Sequence, residues 1–437
     1  MKTYLKPMLF ILLAVAGTAK AQDAELTPLD TVTINVQKLN SAMSTLQKLK
    51  ITGYLQAQYQ IADTLGAKSF AGGDFPAASD NRFMVRRGRI KFTYDAKLTK
   101  YVLQFDVSEK GLTIKDAYLN ISDPFFNAFS LTAGVFNRPF GYEIPYSSSS
   151  RESPERSRFT QTLFPGERDL GAMLTFQMPK ASPFNFLKID AGFFTGNGTN
   201  PEFDKKKDFI GHIGIAKSSK SEKVKYGFGF SYYNGGVYQG KLANGRAAQT
   251  YELKTISDTV SFARIAGDSI VGSFHKRSYF GIDAQLTVET ALGLSTLRGE
   301  YLAGKQPGTS TSTNSTTTAV PSANSYLRNI SGMYLYFVQS FTGTRLGVVA
   351  KYDIYDPNTD ISGDQIGLIS KTGKTNAATA GDLKYNTLGL GIIYNFTPNV
   401  KFTAYYDMVE NEISKNLNGY TSDLPDNVWT FRLQYKF

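Results

Sequence analysis

Sixteen stretches of this chain alternate apolar and polar residues with a period of two, and the connections between them are by turns short and long. The alternation marks each stretch as a β-strand with one apolar and one polar face. The turns and loops mark an up-and-down arrangement with tight turns at one end and long loops at the other. The first eight strands centre on Gly53–Ile61, Phe83–Asp95, Tyr101–Val107, Ala117–Ile121, Phe129–Val135, Leu170–Met178, Leu187–Phe193 and Phe209–Ile215. The other eight centre on Val224–Tyr232, Phe280–Val288, Leu292–Tyr301, Met333–Gln339, Leu346–Ile354, Leu388–Phe396, Val400–Met408 and Val428–Phe437. Short connections such as Lys97–Lys100, Glu289–Ala291 and Thr397–Asn399 alternate with long ones such as Ala62–Asn81, Pro139–Arg168, Asn234–Lys276 and Tyr355–Leu383. Glu109–Thr113 is short although it occupies a long-loop slot. A soluble sandwich has no reason to keep one end short. The pattern predicts an all-β fold: a transmembrane antiparallel β-barrel of about 16 strands.

The last strand shows the pattern most clearly. Trp429, Phe431, Leu433, Tyr435 and Phe437 share one face, and Thr430, Arg432, Gln434 and Lys436 the other. Such a strand needs apolar matter on one side and water on the other.

The chain has no Cys, which excludes disulfides, thiolate metal sites and a Cys nucleophile. Met1–Ala21 reads as a secretory signal: Lys2 and Lys6, the apolar run Met8–Ala16, and the small-x-small site Ala19-Lys20-Ala21. The mature protein is expected to begin at Gln22. Residues 22–50 then form a periplasmic leader, and 51–437 the barrel. No later stretch is apolar for long enough to make a membrane-spanning helix. In the leader, Leu39, Met43, Leu46 and Leu49 recur at helical spacing, which predicts a short amphipathic helix over Val36–Lys50. It could be a plug, a trimer contact or a short coiled coil; the plain reading is a helix laid on the barrel base.

The formal charge is +11, and +8 without Lys2, Lys6 and Lys20. One cluster, Arg82 to Lys91, holds five cations and no acid. Arg87, Arg89 and Lys91 share the parity opposite Ile90, Phe92 and Tyr94, so they face the lumen if that apolar set faces lipid. Spaced about 6.6 Å apart, they form a ladder of positive charge, with guanidinium forks suited to phosphate or carboxylate. The ordinary alternative is a wall neutralised by neighbouring acids, with Asp95, Asp106, Glu109 and Asp116 as candidates. Arg86 has the wrong parity and needs a bulge or a place at the rim, because Arg on the mid-bilayer lipid face costs about 2–4 kcal/mol. Arg298, Glu300, Lys351, Asp353, Lys401, Asp407, Arg432 and Lys436 also lie on polar faces, which predicts a wet lumen of mixed sign.

The third long connection, Pro139–Arg168, is rich in Pro, aromatic and charged residues. It is expected to fold inward and narrow the lumen, because long loops with structure of their own are commonly functional. The Ser/Thr-rich stretch Gly308–Ser325 is expected to be exposed. Catalysis would have to use His212 or His275, and neither has ligand or triad spacing around it. The protein is therefore read as no enzyme.

These residues resemble the phosphate-selective porin O and P family. The resemblance rests on Arg86-Arg-Gly-Arg-Ile-Lys-Phe92, Gly134-Val-Phe-Asn-Arg-Pro-Phe-Gly141, Arg151-Glu-Ser-Pro-Glu-Arg156 and Phe164-Pro-Gly-Glu-Arg-Asp-Leu-Gly171. It implies a homotrimeric sixteen-stranded barrel in the outer-membrane lipid of a Gram-negative bacterium, with the third loop folded into the pore. It also implies inward cations that attract small anions such as phosphate or polyphosphate, here Arg87, Arg89, Lys91, Arg138, Arg151, Arg156, Arg158 and Arg168. No cofactor, metal or nucleic acid is expected. A general low-selectivity porin is the alternative, followed by a barrel-based adhesin or an outer-membrane enzyme.

Overall fold

The structure is a computed structural model that describes residues 28–256, 259–265, 271–315, 323–369 and 376–437. The expected signal segment, the expected mature start at Gln22 and residues 316–322 of the Ser/Thr-rich stretch lie outside the described residues. The chain divides into two units, one ending at Lys48 and one running from Leu49 to Phe437.

The first unit contains helix α1, Pro28–Gln47. It starts eight residues earlier than the expected Val36. Pro28 suits the first helical position, where an N–H would lack an intrahelical partner anyway. It also stops short of the expected Lys50, because Leu49 already belongs to the first strand, where it pairs with Tyr94 of the second.

The second unit is a closed antiparallel barrel. Its strands are β1 (Leu49–Ala62), β2 (Asn81–Ala96), β3 (Thr99–Ser108), β4 (Gly111–Ser122), β5 (Phe129–Asn137), β6 (Arg168–Gln177), β7 (Leu187–Phe194), β8 (Asp208–Ser218) and β9 (Val224–Tyr238). The long connection after β9 contains a hairpin of its own, β10 (Thr250–Ile256) and β11 (Thr259–Arg264). The barrel resumes with β12 (Phe274–Thr290), β13 (Gly293–Gly308), β14 (Ser325–Phe341), β15 (Leu346–Asp356), β16 (Tyr385–Asn395), β17 (Val400–Asn411) and β18 (Val428–Lys436). β12 pairs directly with β9, so sixteen strands form the wall and the β10–β11 hairpin lies outside that count. Each of the sixteen expected strands overlaps one wall strand. The hairpin escaped the sequence reading because its neighbours are polar loop residues with no long apolar alternation.

The barrel closes between β1 and β18, with Gln58 opposite Arg432 and Gln60 opposite Thr430. The ladder ends on Phe437, whose N–H and C=O both bond to Gly53 at 3.0 Å. A Cβ on Gly53 would strike the Phe437 ring and the Arg89 carbonyl, which explains why glycine stands there.

The two faces separate as the alternation requires. Trp429, Leu433 and Tyr435 of β18 are exposed outward, as are Phe280 and Ile282 of β12 and Leu390 and Ile392 of β16. Thr430, Arg432 and Gln434 are buried inward. The register shifts once between β1 and β2: Gln56 pairs with Arg87 and Ala57 with Val85. Arg86 is the extra residue of this bulge, so a side chain of the wrong parity is re-aimed toward the interior.

Candidate functional site

The third long loop, residues 138–167, is folded inside the barrel. It ends in a short helix, α2 (Arg158–Leu163), which apolar periodicity over so few residues could not reveal. Phe140, Ile144, Phe159, Leu163 and Phe164 of the loop pack against Tyr233, Tyr279, Leu302, Ile330 and Tyr334 of the β9 and β12–β14 wall. The lumen thus contains an apolar core of its own. That core anchors the loop to one side, and burial of each large side chain contributes roughly 1.5–3 kcal/mol.

Polar bonds fix the loop's height and register. The Gly141 N–H donates to Ser231 Oγ at 2.8 Å, and the Tyr142 and Glu143 N–H groups both donate to Glu300 at 3.1 Å. Gly141 has φ +61°, and a Cβ there would run into the Glu300 carboxylate. The Arg158 N–H donates to Asp353 at 2.8 Å. Farther round, Gln56 donates to the Ser148 carbonyl, Gln434 to the Ser149 carbonyl and Lys401 to the Arg151 carbonyl. Arg298 of β13 forms a two-bond fork on Glu152 at 2.9 and 3.1 Å. The loop therefore spans the barrel from β5 to the β13–β15 wall and on to the β17–β18–β1–β2 wall.

Glu155 is the centre of the second attachment. Its carboxylate takes Arg86 at 2.8 Å, Arg87 at 2.8 Å and Arg432 at 2.9 Å. Burial raises the affinity of this carboxyl for a proton, but the guanidiniums of Arg86, Arg87, Arg432 and Arg151 outweigh it. They hold the group well below the usual carboxylate range. Glu167 is held down in the same way against burial, by Arg156, Arg168 and Lys115.

The eight expected site residues fall into two groups. Arg87, Arg138, Arg151 and Arg158 are held in contacts with the loop and wall, and of these Arg138 and Arg158 also line spaces of the lumen. Arg87 clamps Glu155, and Arg138 binds the fully buried Asp169 at 3.0 Å. Arg151 donates to the Ser153 and Pro154 carbonyls, and Arg158 lies over the rings of Tyr385 and Phe70. The other four, Arg89, Lys91, Arg156 and Arg168, line a single pocket of about 210 Å³ with Lys436, Tyr54 and the Ser147–Ser149 run. Arg89 is paired with Asp106 from the adjacent strand, Arg168 with Asp116 and Glu167, and Arg156 with Glu167. Lys91 and Lys436 have no carboxylate within 4.0 Å among the described residues. Of the cations that line the pocket, these two ammonium groups are the ones without a carboxylate at bonding distance.

The pocket opens toward the short-turn end. It shares Lys91, Asp116, Asn137 and Pro145 with a chamber of about 610 Å³. That chamber shares Tyr142, Asn185, Phe186 and Gln285 with a vestibule of about 910 Å³, in which Lys180, Lys217 and Lys225 are the charged lining residues. Toward the long loops, past Arg156, the space narrows to about 30 Å³ between Glu155 and Arg158 of the loop and Lys351, Asp353 and Asp407 of the wall.

Sequence reasoning missed Arg277–Asp208 and Arg328–Asp382, buried ion pairs whose partners sit far apart in the chain. It also placed Gly308–Ser325 at the surface. Thr313 and Ser315 are instead buried, the former bonded to Tyr355 and the latter to Arg277 and the Thr162 carbonyl. The histidines stand on different strands: His212 bonds Asp283 at 3.1 Å in the chamber, and His275 bonds Thr250 at 2.9 Å.

No family model matches the chain, and no curated protein matches it in sequence. Solved structures do match in fold. Pseudomonas putida OprB aligns with TM-score 0.56 and 10% identity over 92% of this chain and 97% of that one. A loop-deletion mutant of OmpT, an outer membrane protein of Vibrio cholerae, aligns with TM-score 0.50 and 9% identity over 89% and 99%. At such identities the likeness is one of fold: a closed barrel of the kind found in outer membranes.

Proposed function

We propose that the protein is an outer-membrane channel through which small solutes diffuse passively, with a bias toward anions and phosphate as the sharpest candidate. An outward apolar face on a closed barrel suits a bilayer, and the barrel neighbours support the outer membrane as its place. The observation that carries the anion bias is the pocket at Lys91 and Lys436, reached through a vestibule whose charged lining residues are lysines. Cations along such a route raise the local anion concentration, and several moderate sites let an ion both enter and leave. The resemblance to phosphate-selective porins points the same way. In this reading the protein catalyses nothing and needs no cofactor.

A second reading, a general channel of low selectivity, is favoured by the pairing of most lumen arginines with carboxylates. Both readings require conduction. Liposomes containing the purified barrel should swell in isotonic small solutes, at rates that fall steeply with solute size. Swelling no faster than in empty liposomes, from protein shown to be folded, would overturn the channel reading.

A further inference from the structure

The first long connection, residues 63–80, also turns inward, and two phenylalanines give it a foot and a tip. Phe75 is the foot. It is buried with Ala62, Ala67, Ala71 and Val428, and the Arg82 guanidinium lies 4.0 Å from its ring. Gln60 of the wall donates to the Ala71 carbonyl at 2.5 Å, and Arg82 donates to the Gly73 and Asp74 carbonyls at 2.8 and 2.7 Å. Phe70 is the tip. Its carbonyl accepts from Gln161 of α2 at 3.0 Å, and its ring lies 4.3 Å from the Arg158 guanidinium. Ser69, Phe70 and Ala71 thereby form one side of the narrow space of about 30 Å³ toward the long loops. The third loop and the wall do not make that narrowing alone.

The two ends of this loop are held unequally. Apolar burial and three bonds to backbone carbonyls hold the foot. One hydrogen bond and one face of a guanidinium hold the tip, where the Phe70 ring is half-buried. Arg158 does not depend on Phe70 for its place. It has the Tyr385 ring at 3.8 Å, and its backbone N–H donates to Asp353 at 2.8 Å. The Phe70 ring is therefore the weakly held member of the group that encloses the narrow space. We propose that Phe70 is the gate residue that sets the size of solute admitted from the long-loop side. Stacked on Arg158 it closes the narrow space; swung away it opens it. The proposal rests on the channel reading, since a gate needs a channel.

The chain contains no Cys, so Phe70→Cys places a single thiol at the tip. Liposomes containing this variant should admit a neutral trisaccharide about tenfold faster than those containing the parent, with a smaller gain for glycerol. Neutral solutes keep the lumen charges out of the comparison. Benzyl methanethiosulfonate returns an aromatic ring to that position through a mixed disulfide. It should bring the trisaccharide rate back to the parent's, and a reductant should raise it again, which separates gating from any loss of folded protein in the variant. A trisaccharide rate equal to the parent's in Phe70→Cys would overturn the gate. So would a rate unchanged by labelling confirmed by mass. An equal gain for both solutes would mean a general loosening of the loops and would also overturn it. Failure of glycerol to enter with parent and variant alike would overturn the channel reading, and the gate with it.

Discussion

Replacing Lys91 and Lys436 together by Glu is expected to turn an anion preference into a cation preference and to weaken block by phosphate about tenfold or more. Arg89, Arg156 and Arg168 line the same pocket but face Asp106, Glu167 and Asp116 at bonding distance. Their fields largely cancel at the distance of a passing ion. Lys91 and Lys436 are left to set the sign, and two reversals remove four charge units from one wall. Zero-current potentials in a salt gradient read the sign directly. A double variant with the parent's selectivity would remove the pocket from the account. Reversal of Arg87, by contrast, would place a carboxylate beside Glu155 and displace the loop, so its effect would report structure before selectivity.

Glu155→Gln is expected to loosen the loop from the β2–β18 wall. Three guanidiniums converge on that carboxylate, and Arg87 and Arg432 are almost wholly buried. Removing one partner of a buried ion pair costs about 3–5 kcal/mol, because the remaining charge stays desolvated and unpaired. The docked form should lose at least about a hundredfold in population relative to detached forms. Single-channel conductance should rise and become noisy as the narrow space beside Arg156 widens. The pH dependence has a definite sign. The carboxyl is held well below its ordinary value of 4.5, so its contribution is present at every pH above that value and is lost as pH falls through the depressed one. The difference between variant and parent should therefore persist from pH 7 to pH 5 and shrink only in stronger acid. A quiet variant with parental conductance would show that the apolar core around Phe140, Phe159 and Phe164 holds the loop unaided.

The wall of this barrel was legible because each of its strands puts apolar side chains outward at every second residue. The parity of Arg86 called for a bulge or a place at the rim, and the register shift between β1 and β2 supplies the bulge. The inward loop could be expected from its Pro and aromatic content, but not how it is held. Glu155 meets Arg432 across 277 residues of sequence, and no local pattern connects them. The ladder of Arg87, Arg89 and Lys91 was read as one electrostatic unit. Parity established a common face but not the carboxylate each side chain would meet. The β10–β11 hairpin and the buried Thr313 and Ser315 lie in the long connections outside the sixteen-strand wall, where polar residues pair through backbone and leave no alternation to read.

The central claim is that ions pass beside the infolded loop and that lysines bias the passage toward anions. The zero-current potential of single channels of the parent protein in a potassium chloride gradient tests it most directly, followed by titration with phosphate. The account predicts a potential of the sign set by chloride, with chloride current falling saturably as phosphate is added. A potential of the sign set by potassium, or chloride current that phosphate leaves unchanged, would contradict it.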